Sequence, residues 1–181
     1  NFSDIYSPYL PAAKQGETAH RYVLGLYQIM EELTTRFPKI LFEGCSAGGN
    51  RFDLGILCYF PQIWASDNTD ALCRTGIQNS YSYGYPLSVF TAHVSSCPNH
   101  QTLRITPLET RFQVASFGIL GYECNLKDLS GSDLNAIREQ IAFYKKWRDV
   151  FQFGSFYRGA ENEASDSETL SWTCVSPDGR R

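Results

Sequence analysis

The sequence predicts an α/β fold built from four consecutive β/α units, which fits half of an eight-stranded barrel. Two stretches carry this pattern most clearly. Ile40–Phe42 and Ile63–Trp64 are short apolar runs that stop abruptly in small and acidic residues before a helical pattern resumes. Because β/α folds hold their chemistry in the loops after the strands, functional residues are expected directly after these two runs.

The first two β/α units are predicted from the spacing of apolar residues and from the residues that end helices. A loop with two prolines leads into a helix predicted over 17–36, since apolar residues recur there at three- and four-residue spacing: Ala19, Tyr22, Val23, Leu26, Met30 and Leu33. Pro38 ends that helix. The pattern then predicts a strand over 40–42, a helix-like stretch over 53–60, a strand over 63–65 and a helix over 67–79 with an acidic start.

The later elements are predicted in the same way. A third strand is expected over 88–94, a helix from Thr106 or Pro107 to about 115, and a fourth strand over 119–124. The last helix has Ser132 as its expected N-cap and Gly154 as its terminator. Residues 159–167 form a polar linker, and 170–175 alternate weakly, like the opening strand of a separate β unit.

Composition limits the classes of partner. The net charge of −3, with 16 basic and 19 acidic residues, provides no basic stripe for a nucleic acid. No apolar run approaches the roughly 20 residues that cross a membrane. The six cysteines stand singly, without metal-ligand spacing, which favours free thiols in a reducing cytoplasm and no metal site.

Four residues in the loops after the first two strands are the first candidates for chemistry: Cys45, Gly48, Asp67 and Asp70. By spacing alone an aspartate at such a junction is more often a helix cap, and Asp70 is interpreted as a cap or first-turn residue. Gly48 is also the residue type for a turn with positive φ.

Neighbouring polar and aromatic residues have structural interpretations. Arg51 and Asp53 are expected to pair and pin their loop. His93 and His100 lack a recognisable nucleophile motif, so hydrogen-bonded structural roles are expected. Tyrosines alternate over 81–85 and are interpreted as core or subunit contacts.

Four motifs in order resemble glycoside hydrolase family 36, the bacterial α-galactosidases and related enzymes. They are Gly44 to Asp53, Pro61 to Ala71, His93-Val94-Ser95 with Pro98 to Thr102, and Thr106 to Arg111. The resemblance implies that residues 1–158 are the second half of a catalytic (β/α)8 barrel. It further implies that 159–181 form a linker and the first strand of a C-terminal β domain, in a homo-oligomer.

The same resemblance implies site residues. Asp67, in Trp64-Ala65-Ser66-Asp67, matches the acid/base of these retaining enzymes, and Cys45 and Gly48 match the loop that meets the sugar near its 2-hydroxyl. In that family the nucleophile lies in a Lys-Trp-Asp motif just upstream of the segment that here begins at Asn1, so the resemblance implies that this chain lacks it and that Asp4 is not its replacement.

The expected activity is hydrolysis of terminal α-linked galactose from oligosaccharides such as melibiose or raffinose. It needs no cofactor, because two carboxyl groups suffice. Three alternatives stay open. They are an α-N-acetylgalactosaminidase of the same family, a non-catalytic carbohydrate-binding chain, and transglycosylation through the same intermediate.

Overall fold

The computed structural model describes residues 6–159 and 170–180, in two compact units, Asn1–Trp64 and Ala65–Arg181. Within the described ranges the helices are α1 (Gln15–Arg36), α2 (Leu54–Leu57), α3 (Ala71–Tyr81), α4 (Leu108–Ser116) and α5 (Gly131–Phe153). The strands are β1 (Glu43–Gly44), β2 (Gln62–Trp64), β3 (Phe90–Ser95), β4 (Ile119–Glu123), β5 (Ser155–Arg158) and β6 (Trp172–Val175). Helices and parallel strand pairs alternate, which confirms the α/β class.

The core of the first unit forms where α1, α2 and β2 meet. Met30, Ile56 and Ile63 are buried there, and half-buried, mostly aromatic side chains pack against them: Leu26, Tyr27, Phe52, Leu57, Tyr59 and Phe60. β1 pairs in parallel with β2, and Gly44 lies opposite Ile63. A Cβ at position 44 would lie 2.8 Å from the Ile63 Cδ1, so a larger residue there would displace this buried side chain.

The strand predicted over 40–42 is wrong. Ile40 and Leu41 are 55% and 67% exposed, and the N–H of Ile40 donates to the Phe37 carbonyl at 3.0 Å. This turn after α1 includes Ile40, and strand pairing begins only at Glu43. The helix-like stretch over 53–60 is likewise shorter than predicted and comprises the four residues of α2.

Helix α1 is confirmed, but its predicted apolar face is buried only in part. Met30 is buried and three further positions are half-buried, whereas Ala19 and Val23 are exposed. At 22 residues α1 is about 33 Å long. Helix α2 and strand β2 have only four and three residues, so they are much shorter than α1. Within this unit the core therefore covers only the second half of α1.

The second unit has its core between β3, β4, α4 and α5. β3 pairs in parallel with β4, from Thr91 opposite Ile119 to Ser95 opposite Glu123. The core side chains are Ala92, Val94, Phe112, Ala115 and Tyr144. Five of the six residues of β3 are buried, as is typical of a parallel strand covered on both faces. The third and fourth predicted strands and the helix after Pro107 are therefore confirmed.

Two predicted helix starts are wrong. α3 begins at Ala71 rather than at Asp67, because the residues before it form side-chain-to-backbone turns, and Asp70 is its N-cap, as interpreted. α5 is capped by Ser130, whose Oγ accepts the N–H of Asp133 at 3.1 Å. Ser132 lies inside the first turn instead, and its hydroxyl is 2.8 Å from the hydroxyl of the capping Ser130.

The C-terminal part of the second unit contains a pair of strands, of which the sequence predicts one. β6 confirms the strand predicted over 170–175, and it pairs antiparallel with β5, which was not predicted. Trp172 packs against Phe117 at 5.4 Å between ring centroids. Most of the predicted polar linker falls on residues 160–167, outside the described residues. The division into 1–158 and 159–181 stays a prediction.

The tyrosine run lies at the end of α3. The Tyr81 hydroxyl donates to the Ala65 carbonyl at 3.3 Å, and the Tyr81 and Tyr85 rings are 6.2 Å apart. Tyr83 is exposed and carries the Arg158 guanidinium 3.8 Å from its ring centroid. Tyr81 therefore supports the loop after β2.

All six cysteines carry free thiols, and those at 45, 58 and 97 are exposed. Over the described ranges, no helix has the length and apolar character needed to cross a membrane. The same ranges hold no group of three His, Cys, Asp or Glu side chains arranged to bind a metal ion.

Candidate functional site

The loop after β1 turns sharply through left-handed backbone. Ala47, Gly48 and Gly49 have φ angles of 45°, 71° and 95°, which confirms the positive φ expected of Gly48. The N–H and the side-chain amide of Asn50 close the turn on the Ser46 and Ala47 carbonyls, each at 3.0 Å. Cys45 is exposed at the start of this loop.

The loop is fastened to α1 by two tyrosines. Arg51 donates to the Tyr22 hydroxyl at 2.9 Å and lies 5.6 Å from the Tyr22 ring centroid. Asp53 accepts from the Tyr27 hydroxyl at 3.3 Å and caps α2 through the Ile56 N–H at 3.0 Å. Burial and the Asp53 carboxylate both raise the pKa of Tyr27. The predicted Arg51–Asp53 pair is therefore wrong, because each side chain binds α1 instead.

A cavity of about 160 Å³ lies under this loop, inside the first unit. Its lining includes Cys45, Ser46, Gly49 and Arg51 of the loop, together with buried Met30. Polar groups of the loop and apolar side chains thus share the lining, as they do in small-molecule sites.

The loop after β2 places Asp67 at an exposed position. Two local turns shape the backbone beside it: the Ser66 hydroxyl accepts the N–H of Asn68, and the Asn68 side chain accepts the N–H of Asp70, each at 3.1 Å. Such turns are typical of Ser and Asn before a helix. They hold Asp67 four residues ahead of α3, so Asp67 is not the helix cap.

Arg74 binds the backbone on both sides of Asp67. Its guanidinium donates to the carbonyls of Ser66 at 2.7 Å and Asn68 at 2.8 Å, and also to the Thr91 carbonyl of β3 at 3.3 Å. The residue is only 2% exposed, and burial lowers its pKa to about 10. At neutral pH the side chain is therefore still a cation.

Asp70 is the centre of a second buried network. Its carboxylate is fully buried and accepts the Thr102 hydroxyl at 2.7 Å, the Cys73 N–H at 3.0 Å, and a guanidinium hydrogen of Arg104. Burial alone would raise the pKa of Asp70, but these hydrogen bonds and the Arg104 charge outweigh it and lower the pKa. Asp70 is thus a structural carboxylate rather than a proton donor.

Thr69 joins the two loops of the second unit. Its carbonyl accepts the Ser95 hydroxyl at 3.0 Å, and its own hydroxyl accepts the Asn99 side-chain amide at 3.1 Å. The other end of the Asn99 side chain accepts the N–H groups of Gln101 at 3.0 Å and Thr102 at 3.1 Å. The Ser66–Asp70 loop is therefore fixed from the β3–α4 side as well.

The two histidines have different surroundings. The Nδ1 of His93 lies 3.6 Å from a carboxylate oxygen of Glu123, and its ring packs over Gly121. His100 is exposed on the β3–α4 loop. The structure thus supports a structural role for His93.

The structure brings Cys45 and Gly48 together in one loop of the first unit and places Asp67 in the second unit. Sequence reasoning missed the role of Arg74. A signal was present: Ala71, Arg74 and Gln78 follow a helical spacing, and all three are buried. A charged residue on an otherwise buried helix face must find polar partners.

Comparison with known proteins gives consistent results. Residues 1–154 match the family model described as Melibiase. The chain is 53% identical over 177 residues to α-galactosidase 1 of Pediococcus pentosaceus, covering 98% of this chain and 24% of that protein.

Solved structures agree with the sequence comparison. An α-galactosidase from Lactobacillus brevis superposes with a TM-score of 0.90 at 48% identity, over 96% of this chain and 23% of that one. The family 36 α-galactosidase AgaA of Geobacillus stearothermophilus, in a variant form complexed with raffinose, gives 0.89 at 49% identity, over 98% and 24%. The chain thus spans about a quarter of the length of the relatives it matches. On this basis it belongs to the Melibiase family, in common with the family 36 α-galactosidases.

Proposed function

We propose that this chain is part of a retaining α-galactosidase that removes terminal α-linked galactose from oligosaccharides of the melibiose and raffinose type. The observation that carries the proposal is Asp67, an exposed carboxylate in a tightly held loop at the carboxyl end of β2. Relatives near 50% identity are named α-galactosidases, and one structure holds raffinose.

In this proposal Asp67 is the acid/base. A retaining glycosidase needs two carboxyl groups about 5–5.5 Å apart, one attacking the sugar and one protonating the leaving oxygen. Asp67 first donates its proton to the leaving sugar and then takes a proton from the attacking water. The nucleophile is supplied from outside this chain, in the upstream motif that the family resemblance implies. The same resemblance supports the barrel half and the homo-oligomer as parts of the proposal, and the six singly spaced cysteines favour a cytoplasmic location.

The loop after β1 supplies the sugar contacts in this proposal. Cys45 is exposed, and the left-handed backbone at Gly48 lets a ligand approach the main chain without a side chain between them. The family resemblance places Cys45 near the 2-hydroxyl, in the loop where galactose-specific members differ from those that accept an N-acetyl group. Comparing 4-nitrophenyl α-galactoside with the corresponding α-N-acetylgalactosaminide separates the two activities, and a larger kcat/KM for the acetylated sugar would exclude the proposed specificity.

Replacing Asp67 by asparagine in the full-length enzyme tests the catalytic role. We expect kcat/KM for raffinose to fall by about 10²–10⁴-fold, because general acid catalysis contributes about that much. For 2,4-dinitrophenyl α-galactoside, whose leaving group departs without a proton, kcat/KM should change little. Asp149→Asn is the matched control, since its carboxylate is 88% exposed on α5. Equal losses on both substrates would rule out Asp67 as the acid/base.

A further inference from the structure

We propose that Arg74 is a positioning residue that fixes the backbone on both sides of Asp67 and thereby sets the direction of the Asp67 carboxylate. This inference rests on the proposed role of Asp67 as acid/base. Arg74 itself does not contact the sugar in this scheme, since it is only 2% exposed.

The hydrogen bonds of Arg74 define its role. Two of them hold the carbonyls of Ser66 and Asn68, the residues immediately before and after Asp67. The third holds the carbonyl of Thr91, the second residue of buried β3. The Asp67 loop is therefore fastened through one rigid side chain to both α3 and a core strand.

Two further carbonyls near Asp67 are also held by side chains. Tyr81 binds the Ala65 carbonyl at 3.3 Å, and Ser95 binds the Thr69 carbonyl at 3.0 Å. These bonds lie two residues away from Asp67 on either side. The bonds of Arg74 to Ser66 and Asn68 thus bracket Asp67 directly, and loss of Arg74 would free the backbone nearest to the carboxylate.

The chemistry of the site requires arginine. A buried cation is costly unless its hydrogen bonds are satisfied, and here the guanidinium donates to three backbone carbonyls. The planar guanidinium can reach all three carbonyls at once, in a fixed fork. A lysine ammonium at the end of a flexible stem would reach one or two of them and leave the rest unsatisfied.

Gln78 provides a matched control on the same face of α3. It is equally buried at 2% exposure, and its amide also donates to backbone carbonyls, those of Val114 at 3.0 Å and Phe117 at 3.2 Å. Those carbonyls belong to the end of α4 and do not flank Asp67. A merely structural role predicts similar consequences for the two positions, whereas a positioning role predicts a difference.

The test compares Arg74→Lys with Gln78→Met in the full-length enzyme. For Arg74→Lys we expect kcat on raffinose to fall by about 10–100-fold with KM changed by less than about threefold, since a displacement near 1 Å can cost about 10²-fold. The loss of kcat/KM on 2,4-dinitrophenyl α-galactoside should be at least about tenfold smaller, because that leaving group needs no proton. Gln78→Met should lower the thermal midpoint without this dependence on the leaving group.

A double substitution separates this inference from the proposed function. If Arg74 acts through Asp67, adding Arg74→Lys to Asp67→Asn should reduce raffinose kcat/KM by less than about threefold further, since residues that act as a unit are not additive. Independent, multiplying losses would overturn the inference while leaving Asp67 as acid/base. A single Asp67→Asn variant without leaving-group dependence would instead overturn the proposed function.

Folding of the variants is controlled separately. If Arg74→Lys does not yield folded enzyme, Arg74→Gln carries the same comparison, because its amide retains donors for the carbonyls without the buried charge. A leaving-group dependence in either variant supports the positioning role. Equal losses on the two substrates in every folded Arg74 variant would refute it.

Discussion

Replacing Asp70 by alanine should destabilise the first turn of α3 by about 3 kcal/mol. The loss of an N-cap costs about 1 kcal/mol. The Thr102 hydroxyl also loses a charged, buried acceptor at 2.7 Å, a hydrogen bond of a kind worth about 1.5–3 kcal/mol. The side chain of Arg104 is 42% exposed, so water can replace its lost partner and the loss of this ion pair adds little to the free-energy cost.

Hydrogen exchange in the intact protein measures this effect locally, because α3 amides report the free energy of opening that turn. Asp70→Asn is the informative second variant. Asparagine caps helices about as well as aspartate and still offers an acceptor to Thr102, so we expect a loss of only about 1 kcal/mol. Ser130→Ala removes the exposed N-cap of α5 and should likewise cost about 1 kcal/mol there. If Asp70→Ala costs no more than Ser130→Ala, the buried network adds nothing to the cap.

The pH dependence has a definite sign. The folded pKa of Asp70 is lowered from its ordinary value, so its charge-dependent contribution is fully present above the unfolded pKa of about 3.9. That contribution is lost as the pH falls from there through the folded pKa. The difference in thermal midpoint between the native protein and Asp70→Asn should be constant from about pH 5 to 8 and should shrink below about pH 4. A difference that grows on acidification would contradict this reasoning.

Two further substitutions or modifications have clear outcomes. In Gly154→Ala the new Cβ would lie 2.5 Å from two backbone carbonyl oxygens, so the thermal midpoint should fall by an amount equivalent to about 1–3 kcal/mol. Gly76→Ala, in open space on α3, should instead stabilise the protein by up to about 1 kcal/mol. Equal shifts of the thermal midpoint in the two variants would refute the packing argument. Burial raises the pKa of Cys174 to about 11. At pH 8 a disulfide reagent should therefore modify Cys174 at least about 100-fold more slowly than exposed Cys45, as followed by mass spectrometry. Comparable modification rates for the two cysteines would contradict the burial of Cys174.

Local features of this protein were predictable from the sequence. The positions of α1, α4, α5, β3 and β4 follow from apolar spacing, which reports only on neighbours three or four residues away in a helix or two in a strand. The Asp70 cap and the left-handed backbone at Gly48 are also short-range properties, set within one turn of chain. The strand predicted for the apolar run at 40–42 is wrong because the conformation of its first residue is set by the turn after α1 rather than by the composition of the run.

The tertiary structure alone decided which polar groups meet. Arg51 finds Tyr22 at a separation of 29 residues, and Asp70 finds Arg104 across 34. No periodicity encodes such partners, because a long side chain can bind any group that packing brings within reach. Arg74 shows the same limit. The sequence shows that Ala71, Arg74 and Gln78 share one face of a helix, but only the packing of the loop and β3 reveals that the Arg74 guanidinium holds the backbone beside Asp67. The sequence by itself therefore determined most of the α/β elements and the candidate carboxylate, and the folded chain decided what holds that carboxylate in place.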